Sequence, residues 1–126
     1  MRTNTLFLIA GILALLFGLG FLLVPATMLP VYGVAAEPAV VLMSRFFGVA
    51  MVHLGVTLYL LRDVREPATQ YTLSLAGVIG SALGVVVALM AVLGHLVNAV
   101  GWSTVVIYAL LLLGYVSCLR TRPALA

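Results

Sequence analysis

Four long apolar stretches divide this chain and leave only short segments between them. They cover residues 5–24, 38–61, 71–94 and 102–119, and each is close to the ~20 residues that a helix needs to cross a hydrocarbon core about 30 Å thick. Only 7% of the 126 residues are charged, against roughly a quarter in a soluble globular domain. The sequence therefore predicts an all-α fold, a single domain over residues 1–126 that forms a bundle of four transmembrane helices.

The arginines predict how this bundle is oriented. The chain has six basic residues, and those that flank helix ends are Arg2, Arg62, Arg65, Arg120 and Arg122. With four spans they share one side of the membrane, and Lys and Arg concentrate on the cytoplasmic side. The connections 25–37 and 95–101 contain neither. We expect a bacterial inner-membrane protein with both termini in the cytoplasm (N-in/C-in). The first apolar run also exceeds the roughly 7–15 residues of a cleaved signal peptide, which favours a retained helix.

Small residues mark where the helices should pack, because close backbone approach drives helix association in lipid. At 100° per residue, one face of the third helix collects Ser74, Gly77, Gly80, Ser81, Gly84, Ala88, Ala91 and His95. Gly80 and Gly84 form a GxxxG motif, and Gly48 and Gly55 are the corresponding packing positions of the second helix. Gly11 and Gly18 repeat the spacing of Gly77 and Gly84, which hints at two related helical hairpins; chance is the competing explanation.

Two prolines shape the connection after the first helix. Pro25 is expected to end that helix, and Pro30 to keep the following segment extended or turned, because proline cannot continue the helical hydrogen-bond ladder. The segment 28–34 is apolar and includes Tyr32. We therefore expect it to lie on the headgroup region.

Two ionisable residues fall inside the second apolar stretch, and such residues usually have a partner or a function. Counted from Pro38 at ~1.5 Å per residue, Arg45 lies about 10 Å deep and His53 about 22 Å deep. On the fourth helix Tyr108 and Tyr115 lie at similar depths, about 9 and 20 Å from its outer start. We hypothesise a buried polar ladder between these two helices, pairing Arg45 with Tyr108 and His53 with Tyr115.

Two further residues complete this candidate site at its outer end. Glu37 is the only acid outside the cytoplasmic loop, so it is the expected counter-ion of Arg45, and His95 would lie beside it. In the alternative, Arg45 extends its stem to the outer headgroups, His53 is an interhelical hydrogen-bond partner, and the tyrosines are core aromatics. Two histidines and one thiol at the opposite end give no metal-ligand spacing, so neither a metal nor a cofactor is expected.

A loose motif runs through the first half of the chain: Leu22-Leu23-Val24-Pro25, Tyr32-Gly33, Arg45-Phe46-Phe47-Gly48, Leu54-Gly55 and Arg62. It resembles a broad group of bacterial four-helix membrane proteins of unknown function. In that group the first helix ends in proline and the second carries an arginine followed by an aromatic–glycine pair. The layout is also similar to that of DoxX-like membrane proteins. The resemblance implies the fold and the membrane location, and no established chemistry.

The function expected from the sequence is non-catalytic: binding of a lipid or other hydrophobic ligand, or an accessory role in the membrane. Arg45 would hold an anionic headgroup or the Glu37 carboxylate, since its planar guanidinium binds such groups with two hydrogen bonds. The alternatives are a small transporter or membrane enzyme that uses Arg45 and His53, and a helical subunit of a larger complex. Expected partners are membrane lipids and a second copy or a larger membrane assembly, not nucleic acid.

Overall fold

A computed structural model describes residues 2–120 and shows an all-α protein. The described helices are α1 (Thr3–Leu23), α2 (Pro25–Val31), α3 (Pro38–Leu60), α4 (Pro67–Leu93) and α5 (Gly101–Arg120). All except the short α2 are long and apolar enough to cross a membrane. The predicted four-span helical fold is confirmed, and the chain is a multi-pass membrane protein. Arg122, one of the arginines used to predict orientation, lies outside the described residues.

Helix α1 ends before Pro25 and residues 32–37 are turned or without regular structure, as predicted, but the segment 25–31 is the helix α2, and there the prediction was wrong. Pro25 occupies its first turn, where a missing N–H breaks no helical bond. The carbonyl of Val24 accepts hydrogen bonds from the N–H groups of Thr27 and Met28, both at 3.0 Å, which closes the first turn. Leu29 is buried and holds α2 against the bundle. The third span also begins earlier than predicted, at Pro67 rather than at residue 71.

The four spans are arranged as two antiparallel hairpins. α1 packs along α3 and forms the first hairpin, and α4 packs along α5 and forms the second. Between the hairpins, the main contact is that of α1 with α5, and it is much smaller. Each hairpin is therefore a unit of its own, and the two units leave space between them.

Reciprocal glycines hold the first hairpin together. A Cβ placed on Gly55 would lie 2.9 Å from the carbonyl oxygen of Gly11, and a Cβ on Gly11 would lie 3.1 Å from that of Gly55. Gly18 and Gly48 face each other in the same way; Gly18 lies seven residues after Gly11 on α1, and Gly48 lies seven residues before Gly55 on the antiparallel α3. Contact distances below 3.4 Å leave no room for side chains, so the two backbones touch directly. In lipid this close approach is what favours helix association.

The second hairpin uses glycines with the same spacing but fills them with aromatic rings. A Cβ on Gly77 would lie 2.5 Å from Cδ1 of Tyr115, and a Cβ on Gly84 would lie 2.5 Å from Cε1 of Tyr108. The predicted role of Gly80 in helix packing needs correction, since a Cβ there would meet nothing within 4 Å. The GxxxG motif is thus not a packing unit, because only Gly84 of the pair is covered.

The hairpins meet at one end of the molecule, which we call the terminal end because it carries residues 2 and 120 and the connection 61–66. Its buried core consists of Leu6, Phe7, Ala10, Leu58, Tyr115 and Cys118. We call the opposite end, with α2 and the connection 94–100, the distal end. There the described residues form no comparable buried cluster between the hairpins. The two hairpins therefore share a buried core at the terminal end and none of comparable size at the distal end.

Polar side chains link the hairpins at each end. At the terminal end, Asn4 Nδ2 donates hydrogen bonds to the carbonyls of Arg62 and Val64, and Gln70 Nε2 donates to Val64 at 2.8 Å and to Asn4 Oδ1 at 3.2 Å. At the distal end, Asn98 donates from its backbone N–H to the carbonyl of Tyr32 (2.9 Å) and from Nδ2 to that of Val31 (3.0 Å). We call the second group of bonds the distal latch.

Candidate functional site

A cleft lies between the two hairpins and is the main candidate for a functional site. It consists of a cavity of about 520 Å³ and an adjoining cavity of about 420 Å³. Both are lined by Tyr32, Phe47, Gly80, Val97, Thr104 and Tyr108. Each of the two cavities falls within the roughly 300–1,000 Å³ typical of small-molecule sites. We call the two together the cleft.

The walls of the cleft are apolar and come from all five helices. α1 contributes Leu13 and Phe17, α3 contributes Met51 and Leu54, and α5 contributes Ile107 and Leu111, along with other apolar residues. The terminal-end core closes the cleft at the level of Leu58 and Tyr115. The small residues of α4 leave room on their side of the cleft. Gly80 contributes most, because its missing side chain leaves open space. The small face predicted on the third helix therefore serves partly to shape a cavity.

An aromatic cluster borders the cleft at its distal end. The ring of Phe21 lies 5.4 Å from that of Phe47 in an edge-to-face arrangement and 6.2 Å from that of Tyr32. The distal latch fixes the backbone on either side of Tyr32 to Asn98. The cleft is thus roofed by α2 and by the connection between α4 and α5, which the latch joins.

The side of the cleft between α3 and α4 is open to the surroundings of the protein. These two helices do not pack along each other. Phe47 on α3 and Leu83 and Val87 on α4 line the second cavity and are 43%, 62% and 64% exposed. Because both helices span the membrane, this opening faces the hydrocarbon of the bilayer and not water.

Hydroxyl groups are the only polar side chains on the cleft walls among the described residues. They belong to Tyr32, Thr57, Ser81, Thr104, Tyr108 and Tyr115. Thr57 already donates to the carbonyl of His53 at 2.8 Å. Within residues 2–120, the side-chain hydroxyls of Ser81, Thr104 and Tyr108 make no hydrogen bond to protein, and Ser81 is only 5% exposed. Buried hydroxyls normally have a partner, so the unpaired hydroxyl of Ser81 is free to bind a ligand, as are those of the half-buried Thr104 and Tyr108.

The structure contradicts the polar ladder predicted between the second and fourth spans. α3 and α5 do not pack along each other, and the rings of Tyr108 and Tyr115 lie against Gly84 and Gly77 of α4. The ladder was inferred from depth along the membrane, and depth determines neither the rotation of a helix nor which helix it packs against. Tyr108 and Tyr115 do line the cleft, in contact with a different helix from the one expected.

Arg45 is not enclosed by neighbouring spans, contrary to the prediction. Its side chain is exposed, and within residues 2–120 it has no hydrogen bond or ion pair. At 100° per residue it lies about 200° around α3 from Phe47, which lines the cleft, so it faces away from the cleft. The predicted ion pair with Glu37 is absent from the described residues. Arg45 is therefore a residue of the outer surface of the bundle.

The remaining candidate residues are also exposed and do not converge. Glu37 precedes α3, His53 lies on the surface of α3, and His95 lies in the connection after α4 with a positive φ of 56°. None of these three residues lines the cleft. The described residues contain no group of three or more His, Cys, Asp or Glu side chains that could hold a metal ion. The charged residues and histidines of the predicted site are thus dispersed over the surface, whereas Tyr108 and Tyr115 line the cleft.

Comparison of the chain with protein-family models, with curated proteins and with solved structures yields no match. The function is therefore inferred from the geometry and chemistry of the cleft itself.

Proposed function

We propose that this protein binds an elongated hydrophobic molecule of the membrane in the cleft between its two hairpins, and that it does so without catalysing a reaction. The observation that carries this proposal is the cavity of about 520 Å³, walled by apolar side chains and continuous with an opening between α3 and α4. Cavities lined mainly by apolar groups with a few polar ones are typical of ligand sites. Membrane lipids and molecules dissolved among them are the partners that reach this opening.

Binding fits the cleft better than the other functions considered. None of the described residues that line it is charged, whereas proton or ion routes through a membrane usually carry ionisable groups. Arg45 and His53, the residues on which a transporter or enzyme would depend, lie outside it. A subunit of a larger complex would use the GxxxG motif of α4 to pack against a helix of its partner. The ring of Tyr108 already covers Gly84 of that motif.

We also propose the orientation and location of the bundle. Arg2, Arg62, Arg65 and Arg120 belong to the terminal end, and the described distal connections contain no Lys or Arg. The excess of arginine supports a cytoplasmic terminal end, with both termini inside. The resemblance in the first half of the chain supports a bacterial inner membrane. The distal end of the cleft then lies towards the outer leaflet.

Native mass spectrometry of gently extracted protein tests the proposed function. We expect a population that carries one molecule of lipid-like mass, which is released only at collision energies above those that strip the detergent. Adding hexadecanol in increasing amounts should displace that molecule and saturate at one per chain. A protein that stays free of adducts and shows no saturable uptake of hexadecanol would contradict the proposal.

A further inference from the structure

We propose that the ligand of the cleft is an uncharged, single-chain molecule that enters between α3 and α4 and places a hydrogen-bonding end beside Thr104 and Tyr108. The inference rests on the proposed function and specifies the chemical class of ligand. Isoprenoid or long-chain alcohols and esters are examples of this class. Three features of the cleft carry it: its lack of charge, the place of its free hydroxyls and its shape.

The lack of charge on the walls selects a neutral ligand. Among the residues described, the charged side chains lie at the ends of the bundle or, like Arg45, on its outer surface, and none lines either cavity. A carboxylate or phosphate inside would lose its hydration without gaining a counter-ion, which is costly in an apolar environment. The anionic headgroup predicted from the sequence to bind Arg45 is therefore not the ligand of the cleft.

The free hydroxyls place the polar end of the ligand. The ring of Tyr108 is held against Gly84, Thr104 lies one turn away on the same helix, and both residues line both cavities. A hydroxyl both donates and accepts a hydrogen bond, so this pair suits a neutral hydroxyl or carbonyl group. Ser81, buried on the neighbouring helix α4 of the same hairpin, offers a further donor deeper in the cleft.

The shape of the cleft suits a single apolar chain. From Thr104 to Tyr115 it extends along eleven residues of α5, or about 16 Å. The chain would pass the open space at Gly80 and end at the terminal-end core near Leu58. The opening between α3 and α4 adjoins lipid, so a molecule can enter sideways from the bilayer without crossing water.

The experiment compares three probes with the same chain and different ends: hexadecanol, hexadecane and hexadecyl sulfate, which is always anionic. Saturable binding to purified protein in nanodiscs is measured by native mass spectrometry. We expect hexadecanol to bind at least roughly tenfold more tightly than hexadecyl sulfate, because the sulfate would be buried unpaired. It should also bind more tightly than hexadecane, since only the alcohol reaches the hydroxyls of the cleft.

Two variants test the polar end without removing the packing. Tyr108→Phe keeps the ring against Gly84, and Thr104→Val keeps the shape of the side chain. Each should weaken hexadecanol binding roughly fivefold, the effect of one hydrogen bond, and leave hexadecane binding unchanged. Ser103→Ala is the matched control, because Ser103 is the exposed neighbour of Thr104 and does not line the cleft. It should change neither.

The outcomes separate this inference from the proposed function. If hexadecyl sulfate binds as well as hexadecanol, or if neither hydroxyl variant affects the alcohol, the inference is overturned while the cleft remains a hydrophobic binding site. If none of the three probes binds saturably, both the inference and the proposed function fail.

Discussion

Gly18 and Gly48 face each other across α1 and α3 so closely that a Cβ on Gly48 would lie 2.7 Å from the carbonyl oxygen of Gly18. A Cβ on Gly18 would lie 3.0 Å from the carbonyl oxygen of Gly48. Gly11 and Gly55 repeat the relationship one heptad away, and Gly77 and Gly84 receive tyrosine rings with the same spacing. A seven-residue repeat keeps one face of each helix towards its partner. Both hairpins therefore place their closest contacts seven residues apart.

Gly48→Ala should destabilise the first hairpin. The added methyl group would meet backbone atoms of Leu22 and Gly18 at 2.6 and 2.7 Å, and backbone cannot move aside as a flexible side chain can. We expect a loss of about 1–3 kcal/mol, the usual cost of overpacking a tight contact, measured by reversible unfolding in mixed micelles. Gly80→Ala is the control and should be neutral or slightly stabilising, because its Cβ meets open space. Equal losses for the two variants would contradict the proposed packing.

Asn98→Ala should loosen the distal latch and speed ligand exchange. The substitution removes the bond from Nδ2 to Val31 but keeps the backbone bond to Tyr32. One such hydrogen bond contributes about 0.5–1.5 kcal/mol, so we expect dissociation of hexadecanol to become several-fold faster with little change in overall stability. Asn98→Asp keeps the acceptor for the Val100 N–H, but in place of the donor it turns a charged carboxylate oxygen towards the Val31 carbonyl. If the latch acts through that donor, dissociation from Asp will be at least as fast as from Ala, and an unchanged rate in both would exclude it.

Arg45→Leu should leave ligand binding in the cleft unchanged, because the arginine faces away from it. The same substitution removes a charge from the outer surface of α3, where arginine can extend towards headgroup phosphates. We therefore expect weaker enrichment of anionic lipids around the protein, measured by lipid analysis of nanodiscs. His53→Leu, on the same helix, is the comparison and should affect neither. A large loss of hexadecanol binding in Arg45→Leu would show that the arginine belongs to the site after all.

The orientation of the bundle can be measured by labelling single cysteines in intact cells. In a Cys118→Ser background, Asp63→Cys marks the connection at the terminal end and Ala36→Cys marks the distal end. We expect a membrane-impermeant maleimide to label the distal position in whole cells, and the terminal position only after permeabilisation. The opposite pattern would reverse the proposed topology without changing the fold.

The spans were predictable from the sequence because length and apolarity alone decide whether a helix can cross a bilayer. The short helix α2 was not, since Pro25 was interpreted as the end of one helix and not as the start of the next. Proline favours the first turn of a helix, and the apolar run around Leu29 was a further signal. Pro25 was therefore compatible with the end of one helix and with the start of another, and the burial of Leu29 against the bundle stabilises the second helix.

The site was predicted less well than the fold, because it depends on how whole helices are rotated and paired. Tyr108 and Tyr115 do line the cleft, but depth alone matched them to Arg45 and His53. The seven-residue spacing that they share with Gly77 and Gly84 would have indicated their true neighbour. The cleft itself has no motif, since it arises between two hairpins that share a buried core at one end only.

Filling the cleft is the most direct test of the central claim that this space holds a ligand. Gly80→Leu would project a side chain into the open space at the centre of the cleft. Val86→Leu is the matched control, because Val86 is 54% exposed on the same helix and lines neither cavity. We predict that saturable hexadecanol binding is lost in Gly80→Leu at unchanged thermal stability and retained in Val86→Leu. Full binding by a stable Gly80→Leu protein would contradict the claim.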